Sequence, residues 1–275
     1  MHLNKKICNG DIMNKKKNST ILILGFLAIF SLMTVLVWAD SDDPYGVRNI
    51  NKGASSRSNT SSYPPANLTD VTAGNITEIN LTGISTTKAW AGYYGEITGT
   101  ITLENSDGYV FYNWTANEPK GEIYACTNDT ITWSAISCFE FDGSAGNFDV
   151  DAAEAWYGIE DDDEDGINET YTDDTNLEFR VGTHLITANT CPATNAYQDN
   201  AGAQSAVDGN FENVLLTDDD SLIFVTIIEN DEADNSTDIT GYDGSTHDFQ
   251  LLVAEDGHDG EEDATTTYYF WAEIE

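Results

Sequence analysis

Asp161, Asp163 and Asp165 stand at alternate positions in the run Asp161-Asp162-Asp163-Glu164-Asp165-Gly166-Ile167-Asn168-Glu169. Alternating carboxylates can converge on one hard cation, and the glycine that follows them permits a sharp turn. The carbonyl of Ile167 and the side chain of Glu169 would complete the front half of a calcium loop. The twelfth position is Thr172, where an EF-hand has Glu, and Asp173 follows one residue later. Two readings therefore stand side by side: a calcium site made by Asp161, Asp163, Asp165, Ile167 and Glu169, and a solvated acidic loop. Asp218-Asp219-Asp220 and Asp256–Asp263 are weaker versions of the same pattern.

Catalytic constellations are harder to find. After the N-terminal apolar run the histidines are His184, His247 and His258, and none has a Cys/His metal spacing. There is no GxSxG elbow and no phosphate-binding glycine loop. Paired carboxylates for glycoside hydrolysis are open in principle, since acidic residues are everywhere and their separation is invisible in a sequence. The expectation is a protein that is not an enzyme.

Three cysteines, Cys126, Cys138 and Cys191, follow the apolar run, and Cys8 precedes it. In an oxidising compartment three thiols suggest one disulfide and one leftover, with the pair undetermined. Eight Asn-x-Ser/Thr acceptor sites follow the same run: Asn59, Asn67, Asn75, Asn80, Asn113, Asn128, Asn168 and Asn235. Four of them crowd into residues 59–82, which makes the cluster more telling than any one site.

The compartment itself is read from Ile21–Trp38, an uninterrupted apolar run preceded by Lys15, Lys16 and Lys17 and followed by Ala39 and Asp40. Basic, apolar and small residues in that order make a secretory signal at 1–39, with Met13 as the expected start and cleavage after Ala39. The run is near the length of a membrane span, so an uncleaved anchor is the other reading. Either places the bulk of the chain outside the cell, because the basic flank stays inside. Eleven Lys and Arg against 48 Asp and Glu give a formal charge of −37. Such a surface repels nucleic acid and anionic lipid, which leaves both out as partners, and it suits divalent cations or a saline medium.

The elements that would position these residues are strands. Residues 40–72 are rich in Ser, Asn, Thr and Pro without apolar periodicity, and read as an extended arm. Ala91–Leu103 alternates as one half-buried strand, turned at Asn105–Gly108 into a return strand with Val110, Tyr112 and Trp114. Short strands are expected at Glu122–Cys126, Thr130–Ile136, Leu177–Val181 and His184–Ala188. Ser221–Glu229 is apolar on both faces and should be central. Asp248–Ala254 and Thr265–Ile274 alternate again. One helix is expected at Asp149–Tyr157, with acidic residues in its first turn. Nine or ten short strands and one short helix make an all-β chain: a single β-sandwich or jelly-roll-like domain at 73–275 behind an N-terminal arm.

Several strings carry a resemblance: TTKAWAGYYGEITGTITLENSDGYVFYNW, EPKGEIYACTNDTITW, ISCFEF, and the closing stretch from IENDEADNSTDITGYDGSTHDFQLLVAEDG to TTTYYFWAEI. Over residues 75–275 the chain resembles a family of secreted β-rich proteins of uncultured small-genome archaea, most specifically at WAGYYG and around Asp248-Phe249-Gln250. Members of that family look like subunits of extracellular glycosylated filaments. The resemblance implies a disulfide between Cys138 and Cys191, with Cys126 as a departure, and an acidic run at 161–165 heavier than the family pattern.

The functional expectation is a structural protomer of an extracellular filament or surface layer, a homo-polymer carrying N-glycans, whose arm contacts a neighbour. A membrane contact is expected only if the signal segment stays uncleaved. A monomeric adhesin or carbohydrate-binding module, stabilised by calcium, is the alternative.

Overall fold

The computed structural model describes residues 43–57, 70, 72–116, 119–141, 149–160, 162–172, 175–200, 202–229, 239–255 and 265–274. The signal segment and Asp161 lie outside the described residues.

Among these residues the strands run β1 (Tyr45–Gly46), β2 (Trp90–Gly95), β3 (Gly99–Glu104), β4 (Val110–Ala116), β5 (Gly121–Cys126) and β6 (Ser137–Cys138). After helices α1 (Val150–Trp156) and α2 (Ile167–Thr170) come β7 (Phe179–Val181), β8 (His184–Ile186), β9 (Ala193–Asn195), β10 (Tyr197–Asn200) and β11 (Ala203–Ala206). The chain closes with β12 (Glu212–Thr217), β13 (Leu222–Ile227), β14 (Phe249–Ala254) and β15 (Tyr269–Ile274). The fold is all-β, and all the pairings are antiparallel.

The run LIFVTI of β13 has nothing to offer water on either side, so it folds only if both faces are covered. It lies between β12 and β5 in a sheet ordered β1-β15-β5-β13-β12-β6, with β9 also on β12. Alternation sorts the central side chains onto two faces. Ile123, Ala125, Leu215, Leu222 and Phe224 join one cluster, completed by Leu251 and Val253 of β14, Val150 and Ala153 of α1, and Ile167 of α2. Tyr124, Cys126, Val214, Leu216, Ile223 and Val225 join the other, closed by Phe179, Val181 and Ile186 of the β7–β8 hairpin. The expected central strand is thus central in sheet order and in depth.

Helix α1 forms where expected, with the Asp149 carboxylate accepting the Ala152 N–H at 3.0 Å as its cap. A second, single-turn helix, α2, has no counterpart among the expected elements. Its Ile167 N–H donates to the buried carboxylate of Glu154, which reaches across from α1 at 2.7 Å.

Three expectations change. The strand expected over Ala91–Leu103 is two strands, because Asp248 intervenes between them. The Asp248 N–H donates to Gly95 O at 2.9 Å, and its carboxylate accepts the Ile97 N–H at 2.6 Å, so the backbone leaves β14 there. The strand expected at Thr130–Ile136 is a 3-10 turn, Trp133–Ala135, closed by the Ala135 N–H to Thr132 O at 2.8 Å. Its Trp133 packs edge-on against Tyr124 and Trp271, capping the second face of the sheet. Finally, the four strands between residues 193 and 217 are additions to the expected set. β12 opens with Glu212-Asn213, both buried, and so lacks the alternation that marks a strand.

Candidate functional site

The disulfide is the first chemical feature the fold assembles. Cys138 ends β6 and Cys191 precedes β9, and both strands lie end to end along the same edge of β12. The two cysteines are joined, with Cα atoms 4.9 Å apart. Asn176, fully buried, positions the second of them. Its Oδ1 accepts the N–H groups of Thr190 and Cys191 at 2.7 and 2.8 Å, while its Nδ2 donates to Leu177 O and Thr187 O. Nothing in the sequence singles out Asn176. Cys126 is free and buried, and burial pushes its thiol above the ordinary value.

The acidic loop is built for its own backbone. Asp163 Oδ2 accepts the Glu160 N–H at 2.8 Å, and Asp163 O accepts the Gly166 N–H at 3.1 Å. The carbonyl of Asp165 takes the indole N–H of Trp90 at 2.7 Å, and that of Ile167 takes the Tyr171 N–H at 3.0 Å. Glu169 and Glu154 approach each other across Gly166: a Cβ there would lie 2.4 Å from Glu169 Oε2 and 3.0 Å from Glu154 Oε1. Sequence reasoning misses Glu154, whose acidic neighbours disguise it. Among the described residues no three acidic, histidine or cysteine side chains gather as a metal site, and Asp161 lies outside them. These bonds, with that from the Ile167 N–H to Glu154, tie the loop to helices α1 and α2. Asp218–Asp220 is likewise a turn, between β12 and β13, with Asp218 carboxylate oxygens accepting the N–H groups of Thr132 and Asp220. Asp256–Asp263 falls outside the described residues.

Two titratable clusters resemble catalytic sites only in composition. His247 Nε2 lies 3.0 Å from Asp243 Oδ1, and its ring packs on Tyr94. The Ser245 N–H, helped by His247, holds the Asp243 carboxyl below its ordinary value. Among the described residues no serine hydroxyl or thiol hydrogen-bonds to this histidine; the pair closes the turn before β14. Glu122 and Glu273 face each other across β5 and β15, and their carboxylates meet at the Tyr124 hydroxyl, 3.5 and 3.3 Å away. Both are buried, so the paired carboxylates sit beneath the surface where a glycoside would have to arrive. Glu229 is also buried. Burial, with Glu212 close by, pushes its carboxyl up to about 7, while the Phe211 N–H donates to it.

Of the eight glycan acceptors, Asn75, Asn80, Asn113, Asn128 and Asn168 are described, and all five are exposed. Asn59, Asn67 and Asn235 lie outside the described residues. Among the described residues no helix is long and apolar enough to cross a membrane.

The most unusual surface is the hairpin β3–β4. Every residue from Thr100 to Thr115 is exposed. Ile101 opposes Trp114 and Leu103 opposes Tyr112, so these four share one face, while Thr100, Thr102, Asn113 and Thr115 share the other. The turn is the expected one, with Asn105 Oδ1 accepting the N–H groups of Asp107 and Tyr109. A bulge interrupts β4 at Phe111, opposite Leu103/Glu104. Before it in sequence, Ile76, Ile79, Leu81 and Ile84 are also exposed, in a segment with neither strand nor helix. At the far side of the main sheet, Tyr45 and Gly46 of β1 cover two residues of the six in β15, Ala272 and Trp271.

No protein-family model, no curated protein and no solved structure matches this chain.

Proposed function

We propose that the chain is a structural protomer of an extracellular, glycosylated filament or surface layer, assembling by strand contacts between its N-terminal region and a neighbouring subunit. The observation that carries this reading is the β1–β15 pairing. An N-terminal segment adds a strand to the edge of the main sheet, and with the Val47 N–H bonded to Phe270 O it lies along Phe270–Ala272, half of β15. The same contact made by a neighbour's segment would satisfy backbone hydrogen bonds between subunits, and a head-to-tail contact that does not close a ring propagates as a fibre. Exposed glycan acceptors on several elements, the disulfide and the acid-rich surface accord with a life outside the cell. On this reading the chain performs no catalysis.

The test is electron microscopy of the secreted protein, with and without residues 40–72. Polymers are expected from the full protein, and folded protein that forms no polymers from the truncated one. Polymers from the truncated protein would refute the arm contact, and monodisperse full-length protein would refute the filament.

A second reading, a monomeric adhesin or carbohydrate-binding module, draws on one observation: Tyr112 and Trp114 are exposed with ring centroids 4.8 Å apart. Their rings are inclined at 63°, which suits a saccharide platform poorly, since two sugars in a row stack best on faces that share a plane. Binding of the monodisperse protein to a glycan array would favour this reading over the first.

A further inference from the structure

We infer that the β3–β4 hairpin is the acceptor, and residues 75–87 the donor, of a strand exchanged between two copies of this chain. The inference rests on the filament reading and names a junction for it beyond the arm at 40–72.

The acceptor is a sheet one strand short. A two-stranded hairpin is marginally stable in water and gains independent stability from a third strand or a covering layer. Among the described residues this one has neither, for all its residues from Thr100 to Thr115 are exposed. Its two edges differ. The bulge at Phe111 breaks the outer edge of β4, and bulges end pairing, whereas β3 offers an unbroken edge from Gly99 to Glu104. The open edge is therefore that of β3.

The donor has complementary needs. Among the described residues, the backbone of residues 76–87 makes no hydrogen bond to another backbone group. Ile79 and Leu81 are 51% and 88% exposed, an arrangement that water penalises and a partner relieves. Once extended, the segment sets Ile79 and Leu81 on one side and Ile76, Glu78, Asn80, Thr82 and Ile84 on the other. Laid along β3, Ile79 and Leu81 continue the apolar face of Ile101, Leu103, Tyr112 and Trp114. Asn80 then joins Asn113 on the opposite face, so both glycans leave from the same side and neither enters the apolar one. Seven residues of donor span about 23 Å, the length of a six- or seven-residue acceptor strand.

Charge selects a second copy as the occupant. In a chain of net charge −37, two copies meet only where few charges face each other. Residues 75–87 carry only Glu78, and the hairpin carries only Glu104 and Asp107, near its turn and away from the apolar face.

Mixing experiments test this. One secreted chain carries Leu81→Cys, another carries Ile101→Cys, both with Cys8→Ser, and a short bis-maleimide links them; Cys126 is buried and Cys138 and Cys191 are already joined. Covalent dimers are expected from the mixture. In a second arm, the double variant Ile79→Asp/Leu81→Asp is expected to raise the concentration needed for polymers at least tenfold with an unchanged melting temperature, since both side chains are exposed. Polymers that form normally in the double variant, or without Leu81–Ile101 dimers in the mixture, would overturn the exchange while leaving the filament standing. A chain carrying both cysteines that links only within itself would show pairing in cis and overturn it too. Failure of the unaltered protein to polymerise at all would remove the filament reading on which the exchange rests.

Discussion

At the scale of single residues, polar side chains in the core do the organising. Asn213 joins the two layers of the sandwich, its Nδ2 donating to Phe211 O and Gln250 O and its Oδ1 accepting the Leu252 N–H at 2.8 Å. Glu229 is one whose charge changes near neutrality. Burial raises its pKa from 4.5 to about 7 in the folded chain. The folded state thus holds the proton more tightly than the unfolded state does. Its contribution to stability is complete below pH 4.5 and is lost as the pH rises through 7. Thermal unfolding of the wild type is expected to show a melting temperature that falls from pH 5 to pH 8. The full difference from this group is on the order of 3 kcal/mol. Glu229→Gln keeps an acceptor for the Phe211 N–H but cannot ionise, so its profile should be flatter across that window. Parallel profiles for the two proteins would show that Glu229 ionises as freely folded as unfolded.

At the scale of elements, strands that alternate or are apolar on both faces are legible in the sequence, and strands that bury charged or amide side chains are not. β13 shows itself as LIFVTI, and the β3–β4 hairpin shows itself through alternation and Asn105-Ser106-Asp107-Gly108. β12 hides because Glu212 and Asn213 are buried for tertiary reasons: Glu212 accepts the Leu177 N–H, and Asn213 clamps β14. The acidic loop hides its backbone role in the same way: its spacing suits a cation, and one Asp163 carboxylate oxygen and the carbonyls of Asp165 and Ile167 also accept from Glu160, Trp90 and Tyr171. The glycan acceptors can be read directly, being local; the Cys138–Cys191 pair comes from resemblance alone, because pairing depends on which strands share β12. That sharing carries a prediction. β6 and β9 are two and three residues long, too short to hold the β12 edge by their own hydrogen bonds. The disulfide closes a 53-residue separation, and the chain-entropy model gives it about 4 kcal/mol. Reduction, or Cys138→Ser with Cys191→Ser, should lower the melting temperature by more than about 5 °C and release a sheet edge that aggregates on warming. An unchanged transition in reductant would mean that packing of Ile136 and Phe139 holds β6 unaided.

At the scale of the whole molecule, the proposed self-association would have to overcome a formal charge of −37 on every copy. Two mechanisms could offset it: mobile ions that screen the repulsion, or divalent cations held between carboxylates. Screening acts on every exposed carboxylate without a dedicated site, so it is the mechanism expected to dominate. Screening is governed by ionic strength alone. The Debye length falls from about 30 Å at 0.01 M to about 8 Å at 0.15 M, which confines repulsion to charges close to a contact. Polymer formation, followed by light scattering, should therefore be slow in 10 mM NaCl and at least tenfold faster in 300 mM NaCl. Calcium chloride below 0.1 mM, added to the low-salt sample, changes the ionic strength little and should change the rate little. Rapid assembly at that calcium concentration would instead place specific cation bridges between subunits, and the acidic runs at 161–165, 218–220 and 256–263 would be where to look for them.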